Sequence, residues 1–347
     1  MATTPWYASR EDVLSALDVA ETARTHVQIE RLIAAMSRSV DAQCARVFYP
    51  WVGTRSLDWP PEDGGRSWRY WLGAHEVVSL TNVVSGGTTI SASDYFLYPV
   101  SGPPYTRLEI DLAGNAAFGG GSTHQQDLVL TGTFGYTANT TQVTTLAEAL
   151  DSSETAVDVA HSVGVGTLLL VDSEYMHVSG RSLLTTGQTI NANLTANKSV
   201  TSVAVDDGTA FQLGEVVTIN TERMLITDIA ANSLIVERAW SGSVLAAHTT
   251  GDTVYAPRTL TVERGACGTA AATHNSATVV YRHEPPALVK SLTVAETVFA
   301  LQNEQSGYGR TVGLDESGGR SVQFQTIKLL REQCVVAHGR QARTRTI

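Results

Sequence analysis

The feature that most constrains the fold of this chain is an internal repeat whose halves come in an unusual order. One similarity, at an offset of 48 residues, equates Ala156-Val157-Asp158, Gly166, Glu174 and Met176 with Ala204-Val205-Asp206, Gly214, Glu222 and Met224. Another, at an offset of 26 residues, equates Val236-Glu237-Arg238, Gly242 and His248 with Val262-Glu263-Arg264, Gly268 and His274. The order is therefore first half, first half, second half, second half, whereas tandem duplication would alternate the halves.

This order predicts that one small β module is nested inside another. The outer module comprises roughly 155–180 together with 259–282, and its twin, roughly 202–257, is inserted into its central loop. If the modules are nested in this way, Met176 and Val262 must belong to one core.

The flanking segments follow other periods. Two helices are predicted before Pro50, the first capped by Ser9 with Asp12 three residues later. Short alternating runs between Val52 and Tyr136 are typical of antiparallel strands, and Gly86-Gly87 predicts a hairpin turn between Val84 and Thr88. A further helix is predicted from Pro285 to Gln302.

These patterns together predict an α+β fold. We expect a helical core with antiparallel strands, built from 1–137 and 283–347. The segment 138–282 is then the inserted pair of small all-β modules.

The sequence offers no catalytic, cofactor-binding or metal-ligating constellation, and we expect a protein that is not an enzyme. Asp172 and Glu174 could lie on one face of a strand and bind a cation, but a solvated strand face explains them better, because Asn220 replaces Asp172 in the twin. Cys267 with His274 as its base is also disfavoured, since scaffold residues of the repeat surround it. The repeated histidines, each with an arginine upstream, fit a hydrogen-bonded or ionic staple of a turn.

Two clusters favour contacts with other chains. The aromatic residues Trp68, Tyr70 and Trp71 are candidates for a subunit interface, with a role in the core as the alternative. The C-terminal end carries Arg340, Arg343 and Arg345 before Ile347, with no acidic residue among them.

Charge and hydropathy disfavour several other classes of function. The formal net charge of -10 disfavours a protein that grips nucleic acid, and it suits a surface that DNA slides past. No apolar run is long enough to span a membrane and no signal peptide is evident, so we expect assembly in a cytosol. Three widely separated cysteines match neither a disulfide framework nor a zinc site.

Several segments carry a resemblance to a known family. They are Tyr7–Val13, Arg46–Pro50, Asp94–Pro99, Arg107–Ile110 and Leu130–Tyr136. In this order they resemble the head-to-tail connector (adaptor) proteins of long-tailed bacteriophages. The unit at 260–274 is similar to small β modules that recur in phage tail and neck proteins. The long double insert is a departure from compact adaptors.

The resemblance implies a structural neck protein in the virion, assembled in the cytoplasm of the bacterial host. Its subunits would form a dodecameric ring between the portal protein and a neck stopper or tail terminator protein. Genomic DNA would pass through the ring without specific binding, and no membrane, cofactor or metal is implied. The family also implies that the C-terminal tail, with Arg340, Arg343, Arg345 and Ile347, docks onto the portal.

Other classes of function stay open. The first alternative is a minor tail or baseplate protein whose β modules bind a host surface carbohydrate. The next is a virion polysaccharide hydrolase.

Overall fold

The computed structural model describes residues 4–17, 23–60, 66–305 and 319–340. The α-helices in these ranges are α1 (Arg10–Leu17), α2 (Ala23–Cys44), α3 (Ala287–Gln305) and α4 (Gly319–His338). The strands are β1 (Trp51–Leu57), β2 (Arg69–Trp71), β3 (Val77–Ser85), β4 (Thr88–Ile90), β5 (Tyr95–Tyr98), β6 (Arg107–Ile110), β7 (Leu128–Phe134), β8 (Thr140–Thr145), β9 (Ala156–Asp158), β10 (Leu168–Val171), β11 (Glu174–Thr189), β12 (Ser202–Ala204), β13 (Val216–Ile219), β14 (Glu222–Ala230), β15 (Ser233–Glu237), β16 (Thr253–Ala266) and β17 (Val279–His283).

Helices from both ends of the chain pack together. The predicted cap of α1 is confirmed, because the Ser9 backbone amide donates to Asp12 Oδ2 at 2.9 Å and the Asp12 amide donates to Ser9 Oγ at 3.1 Å. The apolar faces of α1, α2 and α3 form one buried cluster, and α4 joins a second cluster against α2 and α3. The helix α4 was missed, because the sequence of 322–336 alternates only weakly in hydropathy.

The segment 51–134 forms a β unit of its own. A four-stranded sheet, in the order β1-β7-β3-β4, and a three-stranded sheet, in the order β2-β6-β5, enclose one apolar core. The predicted hairpin at Gly86-Gly87 is confirmed, since it joins β3 to β4 and both glycines have positive φ, 58° and 80°.

The segment 140–283 forms a ten-stranded antiparallel sheet with two separate cores. Its two longest strands, β11 with 16 residues and β16 with 14 residues, pair with each other and pass through both halves of the sheet. One core contains Met176, Val178, Leu260 and Val262, and the other contains residues of 190–254. Met176 and Val262 therefore lie in the same core.

Hydrogen bonds correct one part of the repeat alignment. The Val262 amide donates to Thr155 O, and the Val236 amide donates to Thr201 O. Because Val236 and Val262 are twin positions, Thr155 and Thr201 are equivalent, and the offset in this strand is 46 residues. The alignment of Ala156-Val157-Asp158 with Ala204-Val205-Asp206, at an offset of 48 residues, is therefore wrong by two residues. A shift of two residues keeps every side chain on its own face of the sheet.

The expected fold class, α+β with a helical adaptor core, is wrong. In the part of the chain that the structure describes, residues in strands outnumber those in helices, and large antiparallel sheets dominate. The prediction gave the helices too much weight, because the hydropathy of a long amphipathic helix shows a stronger periodic signal than that of a short strand. Three of the principal apolar clusters are formed by strands.

The outer module is attached to the helices, whereas the nested module is reached through β11 and β16. The Val165 amide donates to Glu11 Oε2 at 2.7 Å, and Arg181 pairs with Glu11 at 3.0 Å. The Val52 amide donates to Cys267 O at 2.7 Å. The outer module therefore shares its boundary with the N-terminal helix and with β1.

This arrangement predicts that the nested module can be excised alone. Replacing 185–255 with a short Gly/Ser turn, combined with Arg258→Gln because the deletion removes the Glu215 carboxylate that pairs with Arg258, should leave the rest folded, since Leu184 and Ala256 are already paired across β11 and β16. In thermal unfolding followed by circular dichroism, we expect one cooperative transition within about 5 °C of that of the full chain. Removing all of 138–282 should instead lower solubility, since it exposes the boundary with the helices. Loss of the cooperative transition in the shorter deletion would contradict this division.

Candidate functional site

The most polar buried site of the outer module is centred on Glu174. Its carboxylate accepts two hydrogen bonds from Arg264, through Nε at 2.7 Å and Nη2 at 2.8 Å. The backbone amides of Gly265 and Ala272 each donate to it at 2.9 Å, and His274 Nε2 lies 3.0 Å from Oε2. Glu174 is 1% exposed. The expectation that it lies on a solvated strand face is therefore wrong.

Arg264 uses all five of its N–H donors in this network. Besides the two bonds to Glu174, Nη1 donates to Asp151 O and Glu154 O at 2.7 and 2.8 Å, and Nη2 donates to Ala272 O at 2.5 Å. The guanidinium therefore ties two loops of the outer module, 146–155 and 267–278, to the start of β11. This is the geometry of a structural clamp.

The nested module contains the same network. Glu222 accepts from Arg238 Nε at 2.7 Å and Nη2 at 2.9 Å, and the amides of Ala239 and Ala246 complete its shell. His248 Nε2 lies 2.9 Å from Glu222 Oε2. The hydrogen bonds in both modules confirm that the repeated histidines and arginines form a staple.

The two carboxylates are strongly stabilised in their charged form. Burial alone would raise the pKa of Glu174, but hydrogen bonds from Arg264, His274 and two backbone amides lower it to about 2. The pKa of Glu222 is lowered to about 2 against the same effect of burial, mainly by Arg238. A carboxylate with such a low pKa is a poor proton acceptor near neutral pH.

The structure also shows what surrounds Cys267 and His274. Burial, and secondarily the charge of Glu263, raise the pKa of the Cys267 thiol to about 12, which disfavours the reactive thiolate. His274 lies within hydrogen-bond distance of carboxylates on both sides, with Nδ1 at 2.7 Å from Asp172. Among the described residues, no group of three or more His, Cys, Asp or Glu side chains is arranged to hold a metal ion.

The candidate interface residues lie in and around the core of the 51–134 unit. Tyr70 is buried in it, and Trp68 packs against it while the guanidinium groups of Arg66 and Arg69 lie 5.4 and 4.6 Å from its ring. Trp71 is half-buried, with Arg107 5.1 Å from its ring. Trp68 and Trp71 are therefore both half-buried.

The end of the chain is anchored up to Arg340. The Tyr136 hydroxyl lies 3.0 Å from His338 Nδ1, Arg46 donates to His338 O at 2.8 Å, and the Arg340 amide donates to Cys44 O at 2.9 Å. The remaining candidates for the docking tail, Arg343, Arg345 and Ile347, lie outside the described residues.

Sequence reasoning missed an exposed apolar stripe on α4. Leu329 and Val336, seven residues apart and so on one face, are 54% and 81% exposed, and Val335 beside them is 40% exposed. The opposite face buries Ile327 and Cys334. The spacing of Leu329 and Val336 could have revealed the stripe, had 322–336 been recognised as a helix.

Comparisons with known proteins return no match, either to a family model, to a curated protein or to a solved structure. In the part of the chain that the structure describes, no helix has the length and apolar character needed to cross a membrane.

The Glu174 network predicts a specific loss of stability. Glu174→Gln leaves the buried Arg264 charge without its carboxylate, and the free energy of unfolding should fall by about 3–5 kcal/mol. Glu222→Gln should behave alike in the twin network, while Glu148→Gln, at an exposed position, should change little. Chemical denaturation measures these differences.

The same variants carry a pH signature. A carboxylate with a pKa of about 2 in the folded state, below its ordinary value of 4.5, contributes stability above pH 4.5 that is lost as the pH falls toward 2. Glu174→Gln should therefore flatten the pH dependence of stability in this window relative to the unsubstituted protein. An unchanged stability and pH profile would show that the network is not a structural clamp.

Proposed function

We propose that this protein is a structural component of a phage neck, forming a ring between the portal and the tail that conducts DNA and docks the next component. The observation that carries the proposal is the exposed stripe of Leu329 and Val336 on the last helix, directly before the arginine-rich end. Exposed apolar residues at helical spacing favour a contact with another protein. The resemblance of the flanking segments to adaptor proteins supports the choice of partner.

The chemistry of the buried polar groups also supports a structural role. Glu174, Glu222 and their histidines are engaged in matched hydrogen-bonded clamps, and the Cys267 thiol has a raised pKa. In a protein that is not an enzyme, such groups contribute only to the fold. The net charge of -10 fits a conduit that repels DNA phosphates.

A closed ring requires two different complementary surfaces on each subunit. The stripe on α4 is one candidate, and the half-buried Trp68 and Trp71 on the 51–134 unit are the other. Because Tyr70 is buried in the core, its part in such an interface would be to support the tryptophans.

The ring is tested by imaging the purified protein with and without its portal protein. We expect closed rings of roughly twelve subunits that bind the portal, because head-to-tail interfaces close by rotation. The variant Leu329→Asp/Val336→Asp should abolish one of these contacts without unfolding the chain, and Lys328→Asp, at an exposed neighbouring position, serves as its control. A trimer that binds host cells and ignores the portal would favour the carbohydrate-binding alternative.

The docking tail is tested by a truncation after Arg340. This cut removes Arg343, Arg345 and Ile347 but keeps the contacts of His338 and Arg340, so the fold should be preserved. We expect filled or leaking heads without tails, since arginine pairs in a two-pronged manner with carboxylates on a partner. A full-length variant with Arg343→Gln and Arg345→Gln separates charge from length. Normal tailed particles from the truncated chain would contradict the docking role.

A further inference from the structure

A cleft of about 660 Å³ lies where the end of α2, the start of β1 and the residue Arg340 meet. Its charged side chains are Arg38, Asp41, Arg46, Arg55, Glu76 and Arg340. Four guanidinium groups thus face two carboxylates, which leaves an excess of positive charge in a chain that is acidic overall.

Two of these arginines are already engaged by carboxylates. Arg46 lies 3.1 Å from Glu76 Oε1 through Nε and 3.0 Å through Nη2. Arg38 pairs with Asp41 at 3.0 Å and donates to Pro5 O at 2.7 Å. In each pair the charges of the arginine and the carboxylate cancel. The two pairs include both acidic residues of the cleft.

The other two arginines are not satisfied in this way. Within the described residues, Nε of Arg55 and Nε of Arg340 are each buried without a hydrogen-bond partner. The Arg55 guanidinium carbon lies 4.7 Å from the centre of the Trp51 ring and 5.3 Å from that of the Phe134 ring, so two aromatic rings contact it. Arg340 Nη2 forms a longer ion pair with Glu76 Oε2, at 3.8 Å, which is beyond hydrogen-bond distance, and it shares this carboxylate with Arg46.

Arg55, Arg340 and His75 line the same cleft. His75 has its pKa lowered by burial first and then by the positive charges of both arginines. A buried donor without a partner costs free energy that a bound acceptor would recover. The cleft therefore offers an oxyanion the positive charge of Arg55 and Arg340.

The observations favour a carboxylate over a phosphate of nucleic acid. The net charge of -10 repels a polyanion such as DNA more strongly than a short peptide. A cleft of this volume has the size of a site for a side chain or short segment, and a duplex backbone does not enter it.

We propose that this cleft binds an acidic segment of a partner protein, with Arg55 and Arg340 receiving its carboxylates. The inference goes beyond the proposed ring and holds for whatever assembly the chain forms, because it depends on the cleft alone.

The test is binding of a fluorescent oligo-glutamate peptide to the full chain, measured by anisotropy at low ionic strength. Arg55→Gln and Arg340→Gln together should weaken binding by about tenfold or more, because each removes a charged hydrogen-bond donor. Arg66→Gln is the matched control, since Arg66 also lies over a tryptophan ring but on an exposed surface outside the cleft. The affinity of the Arg66→Gln variant for the peptide should equal that of the unsubstituted protein.

Two further measurements, hydrogen exchange and competition, complete the test. Amide hydrogen exchange of the unsubstituted chain should show protection of 45–51 and 74–77 when the peptide is added, a result that does not depend on the folding of a variant. Inorganic phosphate and a single-stranded oligonucleotide serve as competitors. Absence of peptide binding, equal binding by the double variant, or binding of only the phosphate-bearing probes would each overturn the proposal.

Discussion

The antiparallel pairing of β11 with β16 is the constraint on which the β part of the molecule depends. These strands belong to both modules, so a single pair of crossings carries the chain into the nested module and back. The pair Glu215–Arg258 lies between the modules: Arg258 donates to Glu215 at 2.9 and 2.8 Å, and Ser162 Oγ of the outer module donates to Glu215 at 2.7 Å. The junction is thus held by backbone pairing and by one buried ion pair.

The twin modules show which interactions the repeat retained and which changed. The clamp of glutamate, arginine and histidine is present in both, with its hydrogen bonds in the same places. At its rim the modules differ, because Asp172 contacts His274 in the outer module while Asn220 occupies that position in the twin. Both residues have positive φ, 51° and 54°, a conformation that Asp and Asn tolerate better than most side chains. The turn geometry was therefore kept while the charge was changed.

Much of the local structure could be predicted from the sequence. The cap of α1 and the hairpin at Gly86-Gly87 depend on neighbouring residues, and their patterns are visible in a short window. The helix α4 could not be found in this way, since its apolar residues lie on two faces, one buried against the helical core and one exposed at Leu329 and Val336. The predicted fold class was wrong for a related reason. Each short strand gives only a weak periodic signal in the sequence, although the strands together dominate the structure.

The sequence alone determined that two β modules of the same design occur in this chain and in what order their halves come, because repeated residues record a duplication directly. It also determined which glutamates, arginines and histidines are equivalent. Only the tertiary structure decided what those residues do, since the role of a carboxylate depends on burial and on partners about a hundred residues away along the chain. The cleft of Arg55 and Arg340 is of the same kind: its arginines are far apart in sequence, and the packing of α2, β1 and the end of α4 brings them together.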